Sequence, residues 1–487
     1  MAELIDWFFS TLAPWILAAL YTALAVAGSS HVVLTKRDSR AAVGWVAIIW
    51  LTPILGTVLY VMFGINRIRR KAKALGVPQG PRRLAKAMQP ASDDVLRQVL
   101  GEEAQHLAPL TGMVERLTGL PLLDGNHVDP LAGGQAAYDA MLSAIDAAEH
   151  SVALQTYIFD NDECGGRFVE ALARAQQRGC QVRVLVDDVG AKYTFPTIKS
   201  ALYNARLRFA TFLPTLIPGK LHYTNLRNHR KILVVDGRVG FTGGMNIRQG
   251  HLCDPNCRYP VQDLHFRVTG PVVAHLRETL AADWEFSTGE VLQGPAWQPP
   301  LAACGHSLAR GIAGGPYVDS DNLRLTILGA IGCARHSVQI VTPYFLPEQP
   351  LITALNVAAM RGVAVHIVLP QKSNLALVQW ASTAQLWQVL QRGCRIWLTP
   401  PPFDHSKLMI VDGVWSLVGS ANWDARSLRL NFEFNLECYD RELAALLTSL
   451  VQDMRTRGHE TSLAEVDARP LWMRLRDGFC RLALPYL

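Results

Sequence analysis

Two stretches of this sequence repeat each other at the positions that carry chemistry. NHRKILVVDGRVGFTGGMN and DHSKLMIVDGVWSLVGSAN share a histidine (His229, His405), a lysine two residues on (Lys231, Lys407), an aspartate (Asp236, Asp412), a glycine (Gly243, Gly419) and an asparagine (Asn246, Asn422), each pair 176 positions apart. One His-x-Lys is an ordinary surface pair. Two copies in a duplicated frame describe one composite site with two imidazoles, two ammoniums and two amides, a set that suits a phosphodiester. Lysine and asparagine hold the non-bridging oxygens by charge-assisted hydrogen bonds. One imidazole attacks phosphorus while the other protonates the leaving oxygen. The ammoniums neutralise the phosphate, so neither a metal nor another cofactor is expected, and the sequence has no Gly-x4-Gly-Lys-(Ser/Thr) loop. Asp236 and Asp412 complete the catalytic set by spacing. Each also follows four apolar residues and precedes glycine, which suits a turn-stabilising or ion-paired role better than chemistry.

The elements that position these residues are duplicated too. SVALQTYIFDND echoes SVQIVTPYFLPE, and QQRGCQVRVLVDD echoes AAMRGVAVHIVLP. Each half predicts an apolar strand (152–159; 338–345), an amphipathic helix (166–178; 350–361), a strand (181–186; 364–369) and then the motif. Alternating strands and helices imply an α/β fold with a helix-covered sheet. A spacing of two places His and Lys on one face of a strand. Gly243-Gly244 and Gly419-Ser420 then make a turn where backbone can approach an anion. HLCDPNC holds His251, Cys253 and Cys257 at metal-like spacing, but structural zinc wants four ligands and no second pair is evident. A polar loop with two free thiols fits better.

The chain has 487 residues, 49% hydrophobic and 18% charged, which excludes disorder. Its net charge of +6 is unevenly placed. Residues 1–73 carry eight Lys or Arg against three acids, and the tail from Arg469 carries four Arg against Asp477. The remainder is at −2, without the basic field that draws in nucleic acid. Trp7 to Thr35 and Ala41 to Asn66 lack charge and exceed the ~20 residues that cross a bilayer. They predict two membrane helices, at about 7–28 and 42–64. Residues 36–40 hold three Lys or Arg and residues 67–83 hold seven, so both chain ends are expected on the cytoplasmic side. Nine scattered cysteines fit reduced thiols there.

The doubled His-x-Lys-x4-Asp-x6-Gly-(Gly/Ser)-x-Asn resembles the signature of the phospholipase D superfamily. From about Arg40 to the C-terminus, through QTYIF, VTPYFLP and NWDARSLRLNFEFN, the chain is similar to the bacterial cardiolipin synthases within it. The resemblance implies two pseudo-symmetric halves forming one active site behind a membrane anchor. It implies that His229 forms a phosphohistidine and His405 acts as acid and then base, although the near-symmetry leaves the order open. It further implies that Lys231, Lys407, Asn246, Asn422, Ser420 and Gly244 bind phosphate, and that Asp263 and Glu433 fix the imidazole tautomers. The sequence departs from relatives at CRYPVQD, before Asp263. Tyr344 and Phe345 either line the site or pack.

The implied reaction joins two phosphatidylglycerols into cardiolipin and glycerol. Hydrolysis by a membrane phospholipase D, transfer to another alcohol, and nuclease activity are the alternatives. The implied setting is a bacterial inner membrane, multi-pass, with the catalytic part cytoplasmic, lipid as partner, no nucleic acid, and room for a homodimer. The expected layout is an anchor over 1–73, a linker with an exposed helix over 74–106, halves over 107–298 and 299–460, and an amphipathic tail over 461–487. In that tail Pro470 starts a helix with Leu471, Trp472, Leu475, Phe479 and Leu482 on one side, which either lies in the membrane interface or docks on the protein.

Overall fold

The computed structural model describes residues 7–36, 39–64, 88–214, 226–253, 257, 259–316 and 321–482. The chain divides into two compact units, 1–74 and 75–487. The expected basic stretch at 67–83 lies outside the described residues.

In the first unit, apolar residues without charge build one long helix. Ala13–Thr35, entered through a π-turn at Phe8–Leu12, rises about 35 Å at ~1.5 Å per residue, enough to cross a bilayer. The second predicted span, 42–64, is not one helix. It breaks at Thr52 (φ −141°, ψ 75°) into Ser39–Leu51 and Pro53–Leu59, the latter running on through Tyr60–Gly64. Pro53 has no N–H to continue the first helix but suits the start of the next. The chain reverses there: Trp45 and Tyr60 have ring centroids 5.4 Å apart, and a Cβ on Gly56 would collide with the Ile48 carbonyl. Tyr60 also meets Nδ1 of His31 at 2.8 Å, closing the hairpin onto the long helix. Ser39–Leu51 rises only about 20 Å, short of the ~30 Å hydrocarbon core.

The second unit carries a fifteen-stranded mixed sheet. In the first half, Ser151–Thr156 lies between parallel Gln181–Asp187 and antiparallel Ile232–Val235. In the second, Ser337–Val341 lies between parallel Ala364–Pro370 and antiparallel Leu408–Val411. The sequence repeat is therefore a repeat of topology. Both opening strands stop earlier than predicted, at Thr156 and Val341, and the chain beyond them turns toward the site. Ser307–Gly314 joins the halves, pairing with Leu123–Ala132 on one side and Glu433–Tyr439 on the other.

Packing shifts the expected boundary between the halves, while residues 74–87 of the expected linker lie outside the described residues. Asp93–Leu100 is a capped helix exposed on its polar side, with Val95, Leu96 and Val99 packed inward, and Leu100, Ala104, Leu107, Leu110 and Val114 lie in the core of the second half with Ile327, Val338 and Ile367. This amphipathic stretch precedes the first half in sequence but buries its apolar face against the second. Arg310, fully buried, fastens it by donating to the carbonyls of Leu120 (3.1 Å) and Thr111 (3.0 Å) and to Oε1 of Glu437 (2.5 Å). Replacing Arg310 with Met strands the Glu437 charge in the core, at an expected cost of about 3–5 kcal/mol. Denaturant midpoints of the full chain should fall accordingly, and Glu437→Gln added to Arg310→Met should recover part of the loss.

Candidate active site

The two His-x-Lys segments lie in short breaks of the sheet. The first passes from a lone bridge at Asn228 to the strand Ile232–Val235, and the second from Phe403–Asp404 to Leu408–Val411. His and Lys therefore leave the regular strand on which the spacing placed them. What holds these breaks is the opposite half. The N–H of His229 donates to the carbonyl of Phe432 (2.9 Å), and the N–H of His405 to that of Gln262 (2.7 Å). Phe403–Asp404 pairs in parallel with Val261–Gln262.

The side chains continue this exchange. His229 Nδ1 contacts Oε2 of Glu433 at 3.0 Å, and His405 Nδ1 contacts Oδ2 of Asp263 at 2.7 Å. Each imidazole thus finds its carboxylate in the other half. The carboxylate fixes the proton on Nδ1 and leaves the Nε2 lone pair for the site. Lys231 and Lys407 fold back to donate to the carbonyls of His229 and His405 respectively. Asn246 accepts the N–H of Ile158 through Oδ1 (3.1 Å), leaving its NH2 group for an anion; Oδ1 of Asn422 is buried without a partner among the described residues.

Four expected positions are corrected. Asp236 accepts the N–H groups of Glu149, His150 and Ser151 at 2.7–3.0 Å, and Asp412 those of Arg335, His336 and Ser337 at 2.7–2.9 Å plus His106 Nε2 at 2.6 Å. Both stand at φ near +50° in the turn after the motif strand, where their carboxylates lock the start of each half's opening strand. They belong to the scaffold and not to the reacting centre. The N–H groups of Gly244 and Ser420 are spent on the carbonyls of Leu264 and Phe434, both at 3.1 Å, so neither offers a donor to phosphate. The Ser420 hydroxyl donates to Glu433 at 2.5 Å. Gly244 is required because a Cβ there would overlap the Asp263 carboxylate. These two positions support the carboxylates instead of the substrate.

Three aromatic groups that spacing did not assign join the site. The ring of Tyr157 lies 5.1 Å from that of His229, with Nζ of Lys231 5.5 Å from its centroid. The rings of Tyr344 and His251 lie 6.2 and 6.4 Å from that of His405. Phe345, by contrast, stacks on Trp423 in the core. His251 therefore faces the second imidazole, and no cluster of metal-holding residues occurs among the described residues. The signal for Tyr157 was present in QTYIF, immediately after a strand with no reason to end in a hydroxyl.

Burial governs the charges. It pushes His229 below the usual imidazole range, and His405 further, where both lysines add to the effect. It brings Lys231 down to about 7 and Lys407 to about 8. Burial alone would raise the Glu433 carboxyl, but His229 and Lys231 hold it low; Asp263 stays raised because Lys407 offsets burial only in part. The site without substrate is thus short of negative charge and resists protonation. An anion reverses this, so binding takes up protons and weakens as pH rises through the lysine values. Sulfate, whose charge is constant in this range, should bind the full chain at least tenfold more weakly at pH 9 than at pH 7; calorimetry showing equal affinity would remove the lysines from the anion site.

Comparison with known proteins identifies the relatives of this chain. The family described as "Cardiolipin synthase, PLD-like domain" matches residues 141–284 and 327–455, and "Phospholipase_D-nuclease N-terminal" matches 23–64. Cardiolipin synthase A of Pseudomonas putida (strain GB-1) is 32% identical over 97% of this chain and 98% of its own. The major cardiolipin synthase ClsA of Bacillus subtilis (strain 168) is 29% identical over 93% of this chain and 95% of its own. Among solved structures, the phosphatidylserine synthase of Haemophilus influenzae Rd KW20 is similar at TM-score 0.59 and 15% identity, over 77% of this chain and all of that one, a likeness of fold.

Proposed function

The chain belongs to the cardiolipin synthase family with paired phospholipase D-like domains, and on that footing we propose that it transfers a phosphatidyl group from one phosphatidylglycerol to another, giving cardiolipin and glycerol. The observation that carries the mechanism is the pair of buried imidazoles, each tied at Nδ1 to the other half's carboxylate beside two lysines. Nε2 of His229 attacks phosphorus, and the P–O bond to glycerol breaks as His405, which takes up a proton on Nε2 when the phosphate anion binds, donates that proton to the departing oxygen. His405 then takes the proton of the second lipid's hydroxyl, which attacks phosphorus and breaks the P–N bond. The ionised Glu433 supports this order, because it keeps the His229 proton on Nδ1 and the lone pair on Nε2. Lys231, Lys407, Asn246 and Asn422 hold the phosphoryl oxygens, supplying charge where it develops. His229 and His405 are each only 9% exposed, which disfavours water as acceptor.

Purified full chain given labelled phosphatidylglycerol in vesicles should yield cardiolipin and glycerol in equal amounts. Phosphatidic acid as the main product would replace transfer by hydrolysis. His229→Ala and His405→Ala should each lower turnover by at least 10³-fold, and near-normal turnover in either variant would dismantle the two-histidine site.

The family and the long apolar helix associate the chain with a membrane. The catalytic unit is expected on the cytoplasmic side of a bacterial inner membrane, as the basic residues at 36–40 and 67–83 imply. The hairpin changes the path. On this reading Ser10–Thr35 crosses once and Ser39–Gly64 folds back without crossing, so Ser39 faces the cytoplasm and the Trp7 end lies opposite. This path has one crossing where the sequence reading expected two, and labelling distinguishes them. The native cysteines begin at Cys164, leaving this region free for labelling. A membrane-impermeant maleimide applied to intact cells should modify Ser10→Cys and spare Ser39→Cys; modification of Ser39→Cys, with Ser10→Cys spared, would restore two crossings.

A further inference from the structure

The helix Leu471–Leu482 settles on the protein by one edge only. Cys480 packs against Leu346, Val378 and Ala381; the Arg476 guanidinium lies 4.2 Å from the Trp380 ring centroid; and the fully buried Asp477 binds Arg469 (2.6 Å) and Arg476 (2.9 Å). The remaining face is apolar and open. At about 100° per residue, Leu471, Trp472, Leu475, Phe479 and Leu482 fall within one arc of roughly 100°. They are 55–73% exposed. Arg474 and Arg481 flank this stripe and have no carboxylate partner among the described residues.

The stripe is not isolated. The neighbouring helix Ala376–Thr383 presents Leu377, and Leu375 just before it, to solvent. Asn374, the next residue upstream, bonds the hydroxyl of Tyr344 at 2.7 Å, and Tyr344 lies against His405. Beside His229, Tyr157 packs with Tyr193, and Tyr193 and Phe195 stand 54% and 96% exposed. Apolar side chains therefore border both imidazoles, with free cations beside one border.

We propose that these two borders, the stripe with Leu375 and Leu377 and the pair Tyr193 and Phe195, are the surface on which the catalytic unit rests in the headgroup–acyl boundary of an anionic leaflet. The charge favours anionic lipid: apolar side chains enter the boundary while Arg474 and Arg481 meet headgroup phosphates. Resting there brings a headgroup to the histidines while its acyl chains stay in the bilayer. The inference rests on the lipid reading of the site, and it adds the surface by which lipid is reached.

The full chain with Leu475→Glu and Phe479→Glu, reconstituted in phosphatidylglycerol vesicles, should form cardiolipin at least tenfold more slowly than the parent. With monomeric short-chain phosphatidylglycerol in solution it should stay within twofold of the parent. Leu475→Met with Phe479→Leu should preserve both rates. Equal losses on both substrates, no loss on vesicles, or a lipid-independent dimer that the glutamates dissociate would overturn the proposal. Hydrogen exchange reads the surface without turnover: amides of 375–383 and 471–482 should exchange at least fivefold more slowly in phosphatidylserine than in phosphatidylcholine vesicles. Equal exchange would overturn the surface whatever the reaction; slowed exchange in a chain that makes no cardiolipin would uphold the surface and reject the synthase reading.

Discussion

Each imidazole of the site is held by a carboxylate from the opposite half, Glu433 for His229 and Asp263 for His405, and most of the catalytic unit follows from that exchange. A half alone would leave its histidine without a tautomer-fixing partner and its carboxylate buried beside nothing. The main chain repeats the exchange through the carbonyls of Phe432 and Gln262. Ser307–Gly314, bonded to a strand of each half, then holds the two parts in one register. Near-symmetry in sequence thus becomes mutual dependence in space.

The exchange also explains where the two halves differ. Gly244 and Ser420 occupy equivalent places, yet one clears room for Asp263 and the other donates to Glu433. The shorter aspartate needs backbone pressed close, whereas the longer glutamate reaches a hydroxyl. Glu433 gains that extra bond and is held low, while Asp263 stays raised. Two imidazoles with the same motif therefore sit in different electrostatic surroundings, as the proposed division into nucleophile and acid requires.

Residue types and spacing made the site's inventory legible. The motif spacing gave His229, Lys231, Asn246, His405, Lys407 and Asn422, the resemblance added Asp263 and Glu433, and the structure sets each carboxylate against an imidazole. Asp236 and Asp412 were as regular as the histidines, because a turn that locks a duplicated strand is repeated as faithfully as a reacting group. Tyr157 escaped because it lies outside the two motifs, and His251 was read with Cys253 and Cys257 instead of with His405. The second membrane segment misled for a different reason. Hydropathy counts apolar residues but does not register direction, and Pro53 with Gly56 reverses the chain within a run that is apolar throughout.

By itself the sequence determined that the protein has two related α/β halves, a phosphodiester-handling set of side chains and an apolar, positively flanked anchor, because composition and period are local properties that every residue reports. Only the tertiary structure decided which carboxylate serves which histidine, that residues 93–114 pack in the second half, and that the apolar run 39–64 folds back on itself. Those outcomes depend on contacts between residues far apart in the chain, where steric fit and the pairing of buried polar groups select among arrangements that are locally equivalent.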